Sequence, residues 1–130
     1  MSAFSDALSV SSSGLRAQAT RLLVVSENIA NVDTPGYHRK TLSFEPTGHS
    51  RDAVQQVEVG HVRLDRSDLE QVYDPNHPLA NESGFYDGTN VDLIIELADA
   101  REAQRSYEAN LKMFEQTRQM SSNLMDLLRR

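Results

Sequence analysis

The sequence predicts a mainly α protein with a small β insertion, in which long N- and C-terminal helices form a coiled-coil stalk around a short β-hairpin or meander. All four prolines and five of the six glycines lie within residues 35–90, and both residue types disfavour helix interiors. Apolar residues recur with helical spacing in both flanks. We therefore divide the chain into an N-terminal stalk helix, residues 1–34, a turn- and strand-rich middle region, residues 35–90, and a C-terminal stalk helix, residues 91–130.

The N-terminal segment carries an interrupted heptad pattern. Leu8, Leu15, Leu22 and Ile29 recur every seven residues at the first apolar position of a heptad repeat. Phe4 and Val25 occupy the second apolar position of the same repeat. Ser11 and Gln18 interrupt the second position, and Gly14 lowers the intrinsic helicity. Such a helix is marginal alone in water, because most helical stability comes from packing an apolar face. We expect these six residues to form an N-terminal assembly interface with a partner helix.

The C-terminal segment begins with a clearer signal. Thr89 and Asp92 have capping-box spacing ahead of an apolar run. The expected C-terminal assembly interface follows the stripe beyond it: Leu97, Tyr107, Asn110, Leu111, Phe114, Leu124 and Leu128. A helix of residues 92–128 would be roughly 55 Å long, whereas a compact globule of this length is about 36 Å across. Either the helix breaks, or the chain is elongated, polymer-forming, and buries this stripe against other chains.

Short strands and turns are predicted in the middle region. Residues 42–44, 57–64 and 69–73 have strand-like patterns, and a phase change at Gly60-His61 indicates a bulge or a tight turn. Residues 34–37 fit a type II turn, in which Gly36 adopts a positive φ. Residues 73–78 form a second rigid, proline-containing turn.

Several function classes find no support in the residues. The net charge is −6, of which −4 lies in residues 35–90, so an electrostatic nucleic-acid site is not expected, even at the basic triplet of residues 38–40. The chain has no cysteine, its four histidines lack the spacing of metal ligands, and no phosphate-binding loop or nucleophile motif occurs. We expect no enzyme activity, no catalytic residue, no metal, no cofactor and no small-molecule substrate. No apolar run is long enough to span a membrane directly.

Residues 26–37, SENIANVDTPGY, follow the first predicted helix and resemble the signature that rod and hook proteins of the bacterial flagellum carry there. The signature residues of the turn are Asn28, Asn31, Asp33, Thr34, Pro35, Gly36 and Tyr37. Residues 72–80, 90–92 and 105–110 further resemble the proximal-rod, FlgC-type members of this axial protein family. The resemblance covers both flanks and the second half of the middle region.

The resemblance implies a structural subunit of the flagellar basal-body rod, the tubular drive shaft that transmits torque from the motor ring to the hook. It implies export through the flagellar type III apparatus without a cleaved signal peptide, followed by assembly in the periplasm. The implied partners are other copies of the chain, neighbouring rod proteins, motor-ring or rod-junction proteins and the export apparatus. Interrupted heptads fit this, because the ends of a monomer would become fully ordered only in the polymer.

Some features depart from the family pattern. Asp33 stands where the signature often has Asn, and Thr89 stands where many relatives have Pro, so we expect a threonine cap on the last helix. Residues 49–68 show no match, and their role stays open. The alternatives are another flagellar rod or hook axial subunit, or a cytoplasmic coiled-coil adaptor or export chaperone.

Overall fold

The computed structural model describes residues 2–48 and 54–130. Met1 and residues 49–53, which fall within the predicted N-terminal and middle segments, lie outside the described residues. The elements in chain order are α1 (Ser2–Ala30), β1 (Lys40–Thr41), β2 (Phe44–Pro46), β3 (Val57–Val59), β4 (Arg63–Leu64), β5 (Gln71–Tyr73), β6 (Phe85–Asp87) and α2 (Leu93–Leu128). The predicted fold class is confirmed, since two long helices enclose a small β region.

The two helices pack against each other as an antiparallel pair within one chain. Asn28 near the end of α1 meets Glu96 near the start of α2, with 3.3 Å between Nδ2 and Oε2. Further along, Arg21 Nη2 lies 3.5 Å from Asp99 Oδ1. The helix α2 runs unbroken for 36 residues. The partner that the weak heptads of α1 require is therefore supplied first by α2 of the same chain.

Small side chains allow this close helix packing. Ala17 on α1 and Ala103 on α2 are buried, and Ala103 has no exposed surface. A Cβ atom placed on Gly14 would lie only 2.6 Å from Asn110 Oδ1. Gly14 therefore leaves room for the Asn110 side chain at the helix contact, and a larger residue there would force that side chain to move.

The strands of the β region pair as three two-stranded antiparallel ribbons. The pairs are β1 with β4, β2 with β3 and β5 with β6, in registers that place Lys40 opposite Leu64, Phe44 opposite Val59 and Val72 opposite Tyr86. The predicted strand over residues 57–64 is two strands in different ribbons. Between the pairs Thr41–Arg63 and Phe44–Val59, residues 42–43 face the three residues 60–62, so the phase change at Gly60-His61 marks the one extra residue of a bulge, as predicted.

The ribbons that contain β1 and β3 rest on α1, which supports them because a two-stranded ribbon is at best marginally stable by itself. Ser13 is buried in α1, and its hydroxyl accepts a hydrogen bond from the Val57 amide at 3.1 Å while donating to the Val10 carbonyl at 2.7 Å. This serine, which lowers helix propensity, holds β3 against α1. The core is accordingly small and lies between α1, α2 and the ribbon undersides.

The start of α2 corrects one expectation. Asp92 is the N-cap, and its carboxylate accepts a hydrogen bond from the Ile94 amide at 3.0 Å. The threonine cap was wrong, since the Thr89 hydroxyl donates to the Val32 carbonyl at 2.9 Å. Thr89 instead ties the chain before α2 to the turn after α1, and the Asp92 carboxylate caps the helix.

Candidate assembly interface

The turn after α1 has the geometry that its sequence predicts. Gly36 has a φ of 78°, and the Tyr37 amide donates to the Thr34 carbonyl at 3.2 Å, as in a type II turn. The Gly36 amide also donates to the carbonyls of Asp87 and Gly88, at 3.2 and 3.0 Å. The turn is thereby fastened to the end of β6, which directs the chain from α1 into the β region.

Asn28 is the centre of this junction and is 1% exposed. Its Oδ1 accepts hydrogen bonds from the Lys40 amide at 2.9 Å and from the Tyr37 hydroxyl at 2.8 Å. Its Nδ2 donates to the Lys40 carbonyl at 2.9 Å and to Glu96 Oε2 at 3.3 Å. The side-chain amide thus pairs with the Lys40 backbone as a neighbouring strand would, and it connects α1, the turn, β1 and α2.

Two flanking groups strengthen the junction. Burial raises the pKa of the Tyr37 hydroxyl, which keeps it protonated as the donor to Asn28. Lys40 Nζ lies 2.9 Å from Glu27 Oε2, and that hydrogen bond and charge raise the pKa of the lysine. Lys40 therefore contacts α1 with both its backbone and its side chain.

A charge network in which only Glu96 is fully buried lies directly beside Asn28. The Glu96 side chain has no exposed surface, and its carboxylate accepts a hydrogen bond from Arg39 Nε. Arg39 Nη2 also lies 3.2 Å from Asp99 Oδ2, while the other oxygen of Asp99 faces Arg21. Burial alone would lower the pKa of Arg39, but the hydrogen bond and charge of Glu96, with Asp99 and Asp65 adding, raise it. The guanidinium therefore bridges two turns of α2 and fixes the strand to it.

Asn90 completes the junction on the other side of Arg39. Its Oδ1 accepts a hydrogen bond from the Arg39 amide at 2.6 Å, and its Nδ2 donates to the Asp65 carbonyl at 2.8 Å. We call Asn28, Tyr37, Arg39, Asn90 and Glu96 the polar anchor. This cluster holds the helical pair and the β region in one fixed relation.

Sequence reasoning found part of the polar anchor. It singled out Asn28 and Tyr37, and the segment containing Asn90, only through their resemblance to a family signature. It missed Arg39, which was considered only within a basic triplet, and Glu96. A usable signal existed, because Glu96 is a lone charge inside the apolar run of residues 93–97, where only a paired carboxylate is tolerated. The remaining signature residues lie nearer the surface: Asn31 and Pro35 are half-buried, and Asp33 and Thr34 are exposed.

The predicted N-terminal interface residues lie on the side of α1 that is partly covered. Val25 is buried, and the others are half-buried: Phe4, Leu8, Leu15, Leu22 and Ile29. The residues of α1 that are fully buried are mostly small or polar, including Ser11, Ser13, Ala17 and Asn28. The large apolar side chains of α1 therefore keep surface that a further chain can cover.

The predicted C-terminal interface residues divide into two groups on α2. Tyr107, Asn110 and Phe114 are half-buried, and Asn110 lies over Gly14 of α1. The other group is exposed: Leu97, Leu111, Leu124 and Leu128, with Leu128 73% exposed. The structure thus brings the first group into the intramolecular helix pair and leaves the second group available on the surface.

The described residues, 2–48 and 54–130, contain no group of three or more histidine, aspartate or glutamate residues that could hold a metal ion. Within the same part of the chain, no helix is both long and apolar enough to cross a membrane. The features that the described structure does offer are a rigid junction and uncovered apolar helix surface.

Comparison with known proteins gives this arrangement a context. The family described as "Flagella basal body rod protein" matches residues 8–38, which contain most of α1 and the turn. The family described as "Flagellar basal body rod FlgEFG protein C-terminal" matches residues 82–127, which contain β6 and nearly all of α2. The helical pair and its junction are therefore those of a flagellar basal-body rod protein.

Individual relatives show which type of rod protein this chain resembles. Flagellar basal-body rod protein FlgC of Agrobacterium fabrum is 43% identical over 136 residues, covering 99% of this chain and 98% of the relative. FlgC of Bacillus subtilis is 34% identical over 149 residues, covering 98% and 99%, and FlgC of Salmonella typhimurium is 30% identical over 124 residues, covering 91% and 92%. The chain belongs to the FlgC family of flagellar basal-body rod proteins, as its signature segments predicted.

Proposed function

We propose that this chain is a structural subunit of the flagellar basal-body rod, which assembles with its own copies and with neighbouring rod subunits through its terminal helices. In this role the assembled tube transmits torque from the motor ring to the hook. The observation that supports the proposal most directly is the uncovered apolar surface of α2, where Leu97, Leu111, Leu124 and Leu128 are exposed in the single chain. Leu97 and Leu111 share one side of α2, and Leu124 and Leu128 share another, so the helix offers two apolar surfaces that neighbouring chains can cover.

The polar anchor supports the same role. A subunit that transmits torque must hold its helices and its β region in a fixed relation under load. The buried amide of Asn28 and the buried carboxylate of Glu96 provide this rigidity, because each is satisfied only when α1, β1 and α2 are all in place. The anchor therefore specifies the shape that neighbouring subunits would recognise.

The proposed location is the periplasmic rod of the basal body, reached through the flagellar type III export apparatus without cleavage of a signal peptide. The proposed partners are copies of the chain, neighbouring rod proteins and the motor-ring or rod-junction proteins at its base. The half-buried residues of the N-terminal interface and the exposed residues of the C-terminal interface would become buried against these neighbours. The three-part division into stalk helix, middle region and stalk helix stays a prediction.

Leu111→Asp tests the proposal in a strain that lacks its own copy of the gene. Leu111 is 37% exposed in the single chain, so the purified variant should still fold, with a loss of about 1 kcal/mol that reflects the lower helix propensity of Asp and is shared by an Asp control on the same helix. In the polymer it would bury an unpaired carboxylate, at a cost of several kcal/mol, so we expect loss of swimming and absence of the chain from isolated basal bodies.

Gln116→Asp is the matched control, since it adds the same carboxylate at an exposed position of α2 outside the predicted interface. Gln116→Asp should swim and assemble normally. Normal assembly of Leu111→Asp would remove this surface from the proposed interface, and absence of the unmodified chain from basal bodies would refute the proposed function itself.

A further inference from the structure

The ribbon β5–β6 ends in an exposed apolar patch that contributes little to the packing of the single chain. We call Tyr73, Asp74, Leu79, Glu82 and Phe85 the ribbon tip. Tyr73 is 65% exposed and Leu79 is 64% exposed. The rings of Tyr73 and Phe85 pack on each other, with centroids 5.1 Å apart. An exposed tyrosine that packs on a second ring in this way is typical of interface anchors.

The ribbon tip is held rigid by its own hydrogen bonds. Asp74 Oδ1 accepts the Asn76 amide at 3.2 Å, and the Asp74 carbonyl accepts the His77 amide at 3.0 Å. Asn81 Oδ1 accepts the amides of both Ser83 and Phe85 at 3.0 Å. A preorganised surface loses little conformational entropy on docking, so the tip is already shaped for a partner.

The ribbon tip is also acidic. It contains Asp74 and Glu82, and residues 71–86 contain no lysine or arginine. Among the residues that the structure describes, no lysine or arginine forms an ion pair with Asp74 or Glu82. The negative field of the tip is therefore left for a positively charged partner surface.

A groove on the outer side of α2 has the complementary character. It has a volume of about 500 Å³ and is lined by Ile94, Leu97, Ala98, Arg101, Glu102 and Arg105. Ile94 is 80% exposed and Leu97 is 49% exposed, so its floor is apolar and open. We call it the α2 groove.

The α2 groove presents a net positive charge to a partner. Glu102 Oε2 lies 3.4 Å from Arg21 Nη2, so its charge already faces a cation of α1. Neither Arg101 nor Arg105 forms an ion pair with a carboxylate within the described part of the chain. The groove thus combines an apolar floor with two available guanidinium groups, which suit aromatic rings and carboxylates.

We propose that the ribbon tip of one copy of this chain docks into the α2 groove of a second copy. Apolar side chains would cover the floor around Leu97, while Glu82 and Asp74 would face Arg101 and Arg105. The two surfaces lie at different places on the chain, so the contact is heterologous and, where its rotation does not close, generates an open helical array. The inference rests on the proposed function, because it assigns one contact between copies within the rod.

Cross-linking between engineered cysteines tests the contact in assembled basal bodies. The chain has no cysteine of its own, so Leu79→Cys and Leu97→Cys copies can be expressed together and oxidised. We expect a disulfide between the two kinds of copy, about tenfold more abundant than with the control Ile95→Cys, as expected when one encounter geometry is favoured over another. Ile95 is exposed but lies on nearly the opposite side of α2 from Leu97.

Charge reversal gives a second readout of the same contact. Glu82→Arg and Arg105→Glu, each added to both cysteine copies, should each lower the yield about tenfold through like-charge repulsion. The double reversal restores the opposite pairing and should recover the wild-type yield. Failure of the double reversal to recover it would overturn the assigned pairing of tip and groove.

The outcomes separate this inference from the proposed function. If the cysteine copies enter basal bodies but no tip-to-groove disulfide forms, the contact is wrong and the rod function stands. If mass spectrometry finds the Leu79→Cys copy joined to a different protein, the second copy is wrong as the occupant. If the unmodified chain never enters basal bodies, the proposed function fails and the inference fails with it.

Discussion

Replacing Asn28 with alanine removes the amide at the centre of the polar anchor. The Lys40 amide and carbonyl lose partners at 2.9 Å, and the Tyr37 hydroxyl loses its acceptor at 2.8 Å. Glu96 loses a donor at 3.3 Å while remaining fully buried. The variant therefore leaves several polar groups without partners in a place that water reaches poorly.

The expected loss follows from these contacts. A buried polar group left without a partner costs about 1–3 kcal/mol, and the Lys40 and Tyr37 groups are only partly buried, so they fall at the lower end. Alanine regains up to about 0.7 kcal/mol through its higher helix propensity. The net loss should be about 3 kcal/mol, which is a large part of the roughly 5–15 kcal/mol that stabilises a typical domain.

Urea denaturation followed by circular dichroism measures this loss. With an m value of about 2 kcal/mol/M, the midpoint should fall by about 1.5 M. Asn31→Ala is the matched control in the same signature, because Asn31 is half-buried and makes two local bonds, to the Glu27 carbonyl and the Thr34 hydroxyl. Its loss should stay below about 1 kcal/mol. Equal midpoints for Asn28→Ala and the unmodified chain would refute the central role of this amide.

Substitutions at three further positions, Arg39, Gly14 and Gly36, test other contacts by the same denaturation measurement. Arg39→Met leaves the buried Glu96 carboxylate without a cation and should lower the free energy of unfolding by about 3 kcal/mol. Replacing both Arg39 and Glu96 with Met should recover most of this loss. No recovery would mean that breaking the ion pair is not the cause of the loss. Gly14→Leu should cost about 1–3 kcal/mol by overpacking against Asn110. Gly14→Ala in an Asn110→Ala background should instead stabilise by about 1 kcal/mol, and the opposite sign would contradict the close-approach explanation. Gly36→Val should cost about 1–3 kcal/mol through its positive φ, and Gly36→Asn clearly less; equal effects would show that the turn tolerates any side chain.

The fold could be predicted from the sequence where the pattern is local and repeated. The distribution of proline and glycine separated the helices from the middle region, and the turn at residues 34–37 followed from its Pro-Gly pair. The strands were harder to predict from the sequence, because strands of two or three residues have too few alternating positions to define how they pair. The alternating pattern of residues 57–64 changes phase at Gly60-His61, where one extra residue lies between β3 and β4, and no pattern in the sequence predicted β6.

The interface was predicted in outline but not residue by residue. The heptads of α1 indicated a partner helix, but periodicity cannot say whether that partner belongs to the same chain. The structure places Tyr107, Asn110 and Phe114 toward the helix pair and leaves Leu97 and Leu111 exposed. All five lie on one broad stripe in the sequence, so only the position of α1 separates them.

The sequence by itself determined that this protein has two long amphipathic helices, a rigid turn between the first helix and a β region, and more apolar surface than its own small core can bury. Those properties depend on backbone preferences and short-range spacing. Only the tertiary structure decided that the helices pair within one chain, that Gly14 leaves room for Asn110, and that Arg39 and Asn28 meet Glu96. These contacts join residues 57 and 68 positions apart, and nothing in local spacing encodes which distant polar groups will share a buried site.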